Sequence, residues 1–205
     1  MPQRRPKPGI RAIQHRLLIF CEGAKDKSEN AYFKALIKDR RNPDNRIEVK
    51  VIDTKKNTAK ELVQEAKKHR EFKGDELWVV FDKDGYTKHA AAFDCARANN
   101  IKIAFSSICF EYWILLHYEY TTQSFSCCDE LVHYMDKRYQ IGYEKSDQET
   151  YSKTKCKIAV AKKNAENCRK YQFEGNPANT QVYEMNPYTN IDELIKAIEV
   201  FSAYE

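Results

Sequence analysis

No apolar run in this chain of 205 residues approaches the roughly 20 residues that a bilayer-spanning helix needs. The first residues carry charge but no hydrophobic segment, so neither a transmembrane helix nor a secretory leader is expected. GxxxxGK[ST] is missing, which excludes a P-loop NTPase, and no internal repeat or low-complexity tract is evident. Seven cysteines, at positions 21, 95, 109, 127, 128, 156 and 168, include no CxxC pair and no zinc-like spacing against the five histidines. Odd in number, they read as reduced thiols of a cytoplasmic protein. Acid is missing from residues 1–16, where Arg4, Arg5, Lys7, Arg11 and Arg16 account for the whole net charge of +5. With Pro2, Pro6, Pro8 and Gly9 among those charges, this segment is expected to be a flexible basic arm. It is either a solubilising leader or an arm that gains affinity from phosphates.

The densest pattern present is Leu77 to Gly85, LWVVFDKDG. A continuous β-forming run, Leu77 to Phe81, suits a strand buried on both faces of a parallel sheet. It ends on Asp82 and Asp84, with Gly85 to permit a turn. Leu17 to Cys21 is a second such run, and it too ends on an acid and a glycine, Glu22-Gly23. Strands beginning near 17, 47, 77 and 101 alternate with helical patterns, including a capping box at Thr58 and Glu61. Ser28 is the expected cap of the first helix, with Glu29 favouring the positive end of its dipole. Spacing of this size suits right-handed crossovers, so the fold class is α/β: a mostly parallel four-stranded sheet flanked by helices. The alternating segment Arg46 to Asp53 belongs nearer a sheet edge.

If the strands starting at 17 and 77 are neighbours, Glu22, Asp82 and Asp84 converge at the carboxyl edge, where open α/β sheets bind ligands. Clustered carboxylates repel unless a proton or cation intervenes, and hard oxygens suit Mg²⁺ or Mn²⁺. A solvated Asx turn is the competing account of Asp82 and Asp84. Glu111, soon after the fourth strand, can approach the same edge as a further ligand or a base. His117 is either a helix-end residue that bonds a carbonyl or a participant in catalysis. Lys25 and Lys27, beside Glu22, are phosphate contacts or solvated loop charges. Farther on, Ser152 to Tyr171 reads as one long helix. There Lys153, Lys155, Lys157, Lys162, Lys163, Arg169 and Lys170 face only Glu166, a composition that suits nucleic acid or, alternatively, a solvated face.

The blocks FCEG (20–23), SENAYF (28–33), VVFDKDG (79–85), CFEYWILLH (109–117) and NPYTNIDELI (186–195) together resemble the RloB-like family. These are small Toprim-type proteins encoded with restriction-modification and other phage-defence genes. The resemblance covers most of residues 16–200. It implies a Toprim-like domain over 17–118, between the arm of 1–16 and a helical C-terminal extension, 119–205, packed on it. It further implies Mg²⁺-dependent phosphodiester cleavage of DNA or RNA, with Glu22, Asp82 and Asp84 as the acidic set and a companion ATPase as partner. Two other classes stand beside this one: a non-catalytic module that docks nucleic acid or a partner through the same acids and basic helix, and a response-regulator-like nucleotide-binding domain.

Overall fold

The computed structural model describes residues 15–22, 27–41, 47–83, 88–143, 147 and 149–203. The arm expected over 1–16 thus lies outside it except for His15 and Arg16. Arg16 is not an arm residue: it opens the first strand and is buried there. Its Nε and Nη2 donate to the Asp75 carboxylate at 3.0 and 2.5 Å, and Asp75 also accepts from the Glu71 and Phe72 amides at 2.8 and 3.0 Å. Burial opposes the charge of Asp75, but Arg16 and these amides outweigh it and hold the carboxyl below its ordinary range.

The continuous apolar runs become central strands. β1 (Arg16–Cys21) is buried throughout, and β3 (Glu76–Asp82) is buried except at its ends. β2 (Glu48–Ile52) lies at one edge, as its alternation requires, and β4 (Lys102–Ser107) lies beyond β3. These four are parallel. The sheet nevertheless has five strands rather than four. β5 (Tyr188–Thr189) pairs antiparallel with β4, giving the order β2-β1-β3-β4-β5. Two residues are too few to show a period, so this strand leaves no pattern in the sequence. Asn190 extends its pairing with a side chain: Oδ1 accepts from the Phe105 amide at 2.7 Å and Nδ2 donates to the Ile103 carbonyl at 2.9 Å.

Side chains alternate across the sheet. Leu18, Phe20, Val79 and Phe81 meet α2 (Ala59–Lys68) and α3 (His89–Ala98) on one face. Leu17, Ile19, Trp78 and Val80 meet α1 (Ser28–Arg40), α4 (Glu111–Leu115), α5 (Cys128–Tyr139), α7 (Ile158–Gly175) and α8 (Ile191–Ala203) on the other. The segment after residue 118 therefore shares one core with the α/β part and supplies its fifth strand. Thr58 caps α2 as expected, its Oγ1 accepting from the Glu61 amide, but the Glu61 carboxylate accepts from the Thr58 hydroxyl rather than from its backbone amide, so the capping box is half formed. Ser28, by contrast, is the first helical residue of α1, and Lys27 takes the cap position. The long helix expected over 152–171 is broken into α6 (Thr150–Thr154), a 3₁₀ turn at Lys155–Lys157, and α7. Among the described residues no helix is long and apolar enough to cross a membrane.

The basic face of that segment is largely spent on acids from elsewhere in the fold. Lys153 pairs with Asp147 at 2.7 Å, Lys155 with Asp39 at 3.2 Å, and Lys162 with Glu199. Arg169 is buried, holding both oxygens of Asp192 and the Thr189 carbonyl, so it ties α7 to β5 and α8. Asp192→Asn would leave the buried guanidinium short of its counter-charge and is expected to destabilise the protein by about 3–5 kcal/mol. Lys163→Ala, an exposed change, should stay within about 0.5 kcal/mol. Urea unfolding midpoints check both, and equal shifts would show that Arg169 does not anchor the C-terminal segment.

Candidate metal centre

β1 and β3 are hydrogen-bonded neighbours, with Cys21 level with Val80. The ladder runs one residue further, because the Glu22 amide donates to the Val80 carbonyl at 3.0 Å. Glu22 therefore leaves the sheet beside Asp82, the last residue of β3. A parallel strand is followed by a helix whose N-terminus starts at the same edge, and α1 accordingly delivers Glu29 from its first turn. α4, separated from β4 by three residues, delivers Glu111 as its first residue. Four elements thus bring four carboxyl groups to one patch.

Their electrostatics show the convergence. Burial is the main cause of an Asp82 pKa well above the usual carboxylate range, reinforced by the charges of Glu29 and Glu111 and, more weakly, of Glu22. The Phe110 amide, which hydrogen-bonds the carboxylate, opposes the shift. Glu29 is pushed up to about 7, first by burial and then by Glu111, with its own amide, Lys27 and a hydrogen bond to Asp82 pulling the other way. Glu29 Oε2 is buried without a hydrogen-bond partner. Glu111 is fixed by Tyr143, whose hydroxyl lies 2.9 Å from Oε1 and 3.1 Å from Ser28 Oγ. No ion pair to Glu29, Asp82 or Glu111 forms among the described residues. Hard oxygens, mutual repulsion and an orphaned carboxylate oxygen fit Mg²⁺ or Mn²⁺. The acids do not close on a point: no three of them bring ligand oxygens within 4.8 Å of one another among the described residues.

Of the residues expected at the site, Glu22, Asp82 and Glu111 are brought together, while Asp84 and Lys25 lie outside the described residues. Lys27 is exposed beside Glu29. His117 is not brought to the acids. It is buried in the core, with Nδ1 3.0 Å from the Trp113 carbonyl, Nε2 3.4 Å from the Tyr32 hydroxyl and its ring edge-on to Trp113. This is the carbonyl-bonding alternative, and burial lowers the imidazole pKa to about 4. Of the lysines proposed for nucleic acid, Lys153, Lys155 and Lys162 are ion-paired as described above. Lys157 caps the Tyr118 ring at 4.2 Å, and Lys163 is exposed. Glu29 was the residue missed. Its presence in the first turn after a buried parallel strand was the available signal, since that turn necessarily sits at the carboxyl edge. The cysteines also need correction: Cys109 and Cys128 form a disulfide, brought together by the packing of α4 on α5 rather than by any local spacing.

A family model described as RloB-like protein matches residues 17–198. No curated protein and no solved structure matches the chain.

The raised carboxyl pKa values carry a stability consequence. A folded-state pKa of about 7 at Glu29, against an unfolded value of about 4.3, means that the native state holds a proton which the unfolded chain has released. The resulting stabilisation is present in full below the unfolded pKa and is lost as pH rises through the folded one. In EDTA, urea unfolding is expected to show stability declining between about pH 4 and pH 7, and Glu29→Gln should flatten that decline. An identical decline in the variant would remove Glu29 from the patch.

Proposed function

The chain belongs to the RloB-like family, and from that membership together with the acid patch we propose that it is a metal-dependent nuclease. It cleaves phosphodiester bonds of DNA or RNA in the cytoplasm, in anti-phage defence beside a companion ATPase. The observation that carries this reading is the gathering of Glu22, Glu29, Asp82 and Glu111 at the carboxyl edge of the sheet, without a protein cation paired to the last three among the described residues. The defence role and the ATPase rest on the resemblance of the motif blocks to Toprim-type members of the family.

Glu22 and Asp82, with Asp84, are the residues that would hold Mg²⁺ or Mn²⁺, and Glu29 and Glu111 stand next to them. When bound, such an ion supplies charge neutralisation at the phosphate and lowers the pKa of an attacking water. The chain's own groups do the rest. The Phe110 amide holds the Asp82 carboxylate, and Tyr143 holds Glu111. Glu29, whose carboxyl burial and Glu111 push upward, stands beside the ligand set as a candidate proton carrier. Lys27 and Lys163 remain exposed for phosphate contact, whereas the ion-paired lysines would have to exchange protein carboxylates for phosphates.

That cost falls on nucleic-acid docking in either reading, and in the second, a non-catalytic module that docks nucleic acid or a partner, only partner docking avoids it. One experiment separates the two: incubation of labelled DNA, total RNA and transfer RNA with the purified chain in Mg²⁺, Mn²⁺ or EDTA, with and without the proposed companion ATPase. Cutting is expected only with metal. Glu22→Gln or Asp82→Asn should reduce it by more than the roughly 10- to 100-fold that loss of an outer-shell partner costs. Intact binding without cutting in any arm would establish the module instead.

A further inference from the structure

Beside the acid patch, Cys109, Glu111 and Cys128 are the described residues that place three metal-ligating atoms within 4.8 Å of one another. We propose that, once the Cys109–Cys128 disulfide is reduced, these side chains form a thiolate–carboxylate site for Zn²⁺ or a similar thiophilic divalent ion. Cys109 precedes α4, Glu111 begins it and Cys128 begins α5, so two packed helix starts supply all three groups. Cys109 and Glu111 are each only 5% exposed. The two oxygens of Glu111 are divided: Oε1 lies 2.9 Å from the Tyr143 hydroxyl, while Oε2 lies 3.2 Å from Cys128 Sγ. Such a division, one oxygen oriented by an outer hydrogen bond and the other turned toward the ion, is how ligating carboxylates are held at metal sites.

Two thiolates and one carboxylate make a three-ligand set that leaves the fourth position of a tetrahedral zinc ion to water. With Zn–S bonds of about 2.3 Å, the two sulfurs must stand ~3.8 Å apart, so the disulfide and the ion exclude each other. Reduction by a thiol proceeds by exchange: two reductant thiols become a disulfide, and their two electrons and two protons pass to Cys109 and Cys128. Zn²⁺ then displaces both protons as the thiolates bind. Glu111 also faces Asp82 and Glu29, so an ion on its carboxylate relieves part of the charge that the acid patch carries. The site stands on the sulfur geometry and does not require the nuclease reading.

Cobalt(II) provides the direct test. Protein reduced with a phosphine, freed of reductant under anaerobic conditions and titrated with Co²⁺, should develop thiolate-to-cobalt charge-transfer absorption in the near ultraviolet together with tetrahedral d–d bands. These should saturate at one equivalent and be bleached by Zn²⁺. The same chain kept oxidised should show neither, a comparison that needs no substitution and so does not depend on a variant folding. Cys109→Ser and Cys128→Ser should abolish the bands, Glu111→Gln should weaken binding at least about tenfold, and Cys127→Ser, at the exposed neighbouring thiol, should leave them intact. Asp82→Asn should also leave them intact, which separates this site from the nuclease centre. Absence of the bands from reduced protein, or their survival in oxidised protein or in the Cys109→Ser, Cys128→Ser double variant, would overturn the proposal.

Discussion

The parallel pairing of β1 with β3 is the constraint on which the rest of the molecule depends. β1 is buried along its whole length, so a one-residue slip would turn every side chain to the wrong layer. With the register fixed at Cys21 opposite Val80, Glu22 and Asp82 have no choice of position. Parallel pairing also demands crossovers, and each crossover returns its next helix to the edge that the strand has just left. That is why Glu29 and Glu111, on helices far apart in sequence, arrive where Glu22 and Asp82 already are.

What could be read from the sequence followed from this topology. Continuous apolar runs identified the two central strands, alternation put β2 at the edge, and the acid after each run marked the carboxyl edge. The features that escaped have a common cause: each depends on partners distant in the chain. The basic segment read as a single positive face because Asp39, Asp147, Asp192 and Glu199 come from other parts of the fold. β5 is too short to carry a period and is held instead by the Asn190 side chain. Cys109 and Cys128 are 19 residues apart, which matches no local metal or redox motif. Glu29 was visible but had an adequate local explanation in the helix dipole, and only the tertiary arrangement adds Asp82 and Glu111 as its neighbours.

The core beneath the patch explains how such repulsion is tolerated. Tyr32, Phe33 and Phe110 pack edge to face at ring separations of 5.5–6.0 Å, and Trp113 and His117 continue the cluster. α1 and α4 are therefore locked against each other by apolar contact directly below their acidic N-termini. Burial of this kind, at about 25 cal/mol per Å² of apolar surface, holds the carboxyl groups near one another against their own charge. The remaining strain is relieved by proton uptake, which is what the raised Asp82 and Glu29 pKa values express. A cation would relieve it by another route, and the competition between proton and cation belongs to the same free energy.

Glu111 occupies the boundary between two kinds of chemistry. On one side its charge acts on a set of hard oxygen donors; on the other, its Oε2 lies against sulfur. A single carboxylate cannot give its full charge to both. Whatever neutralises it from the sulfur side lowers the repulsion felt by Asp82 and Glu29, which favours their ionised forms but also removes one negative group that would attract a hard cation. These effects have opposite signs for metal binding at the patch. Tyr143 keeps the arrangement from collapsing to either side: its hydroxyl bridges Glu111 Oε1 and Ser28 Oγ, tying the boundary carboxylate to the same turn of α1 that presents Glu29.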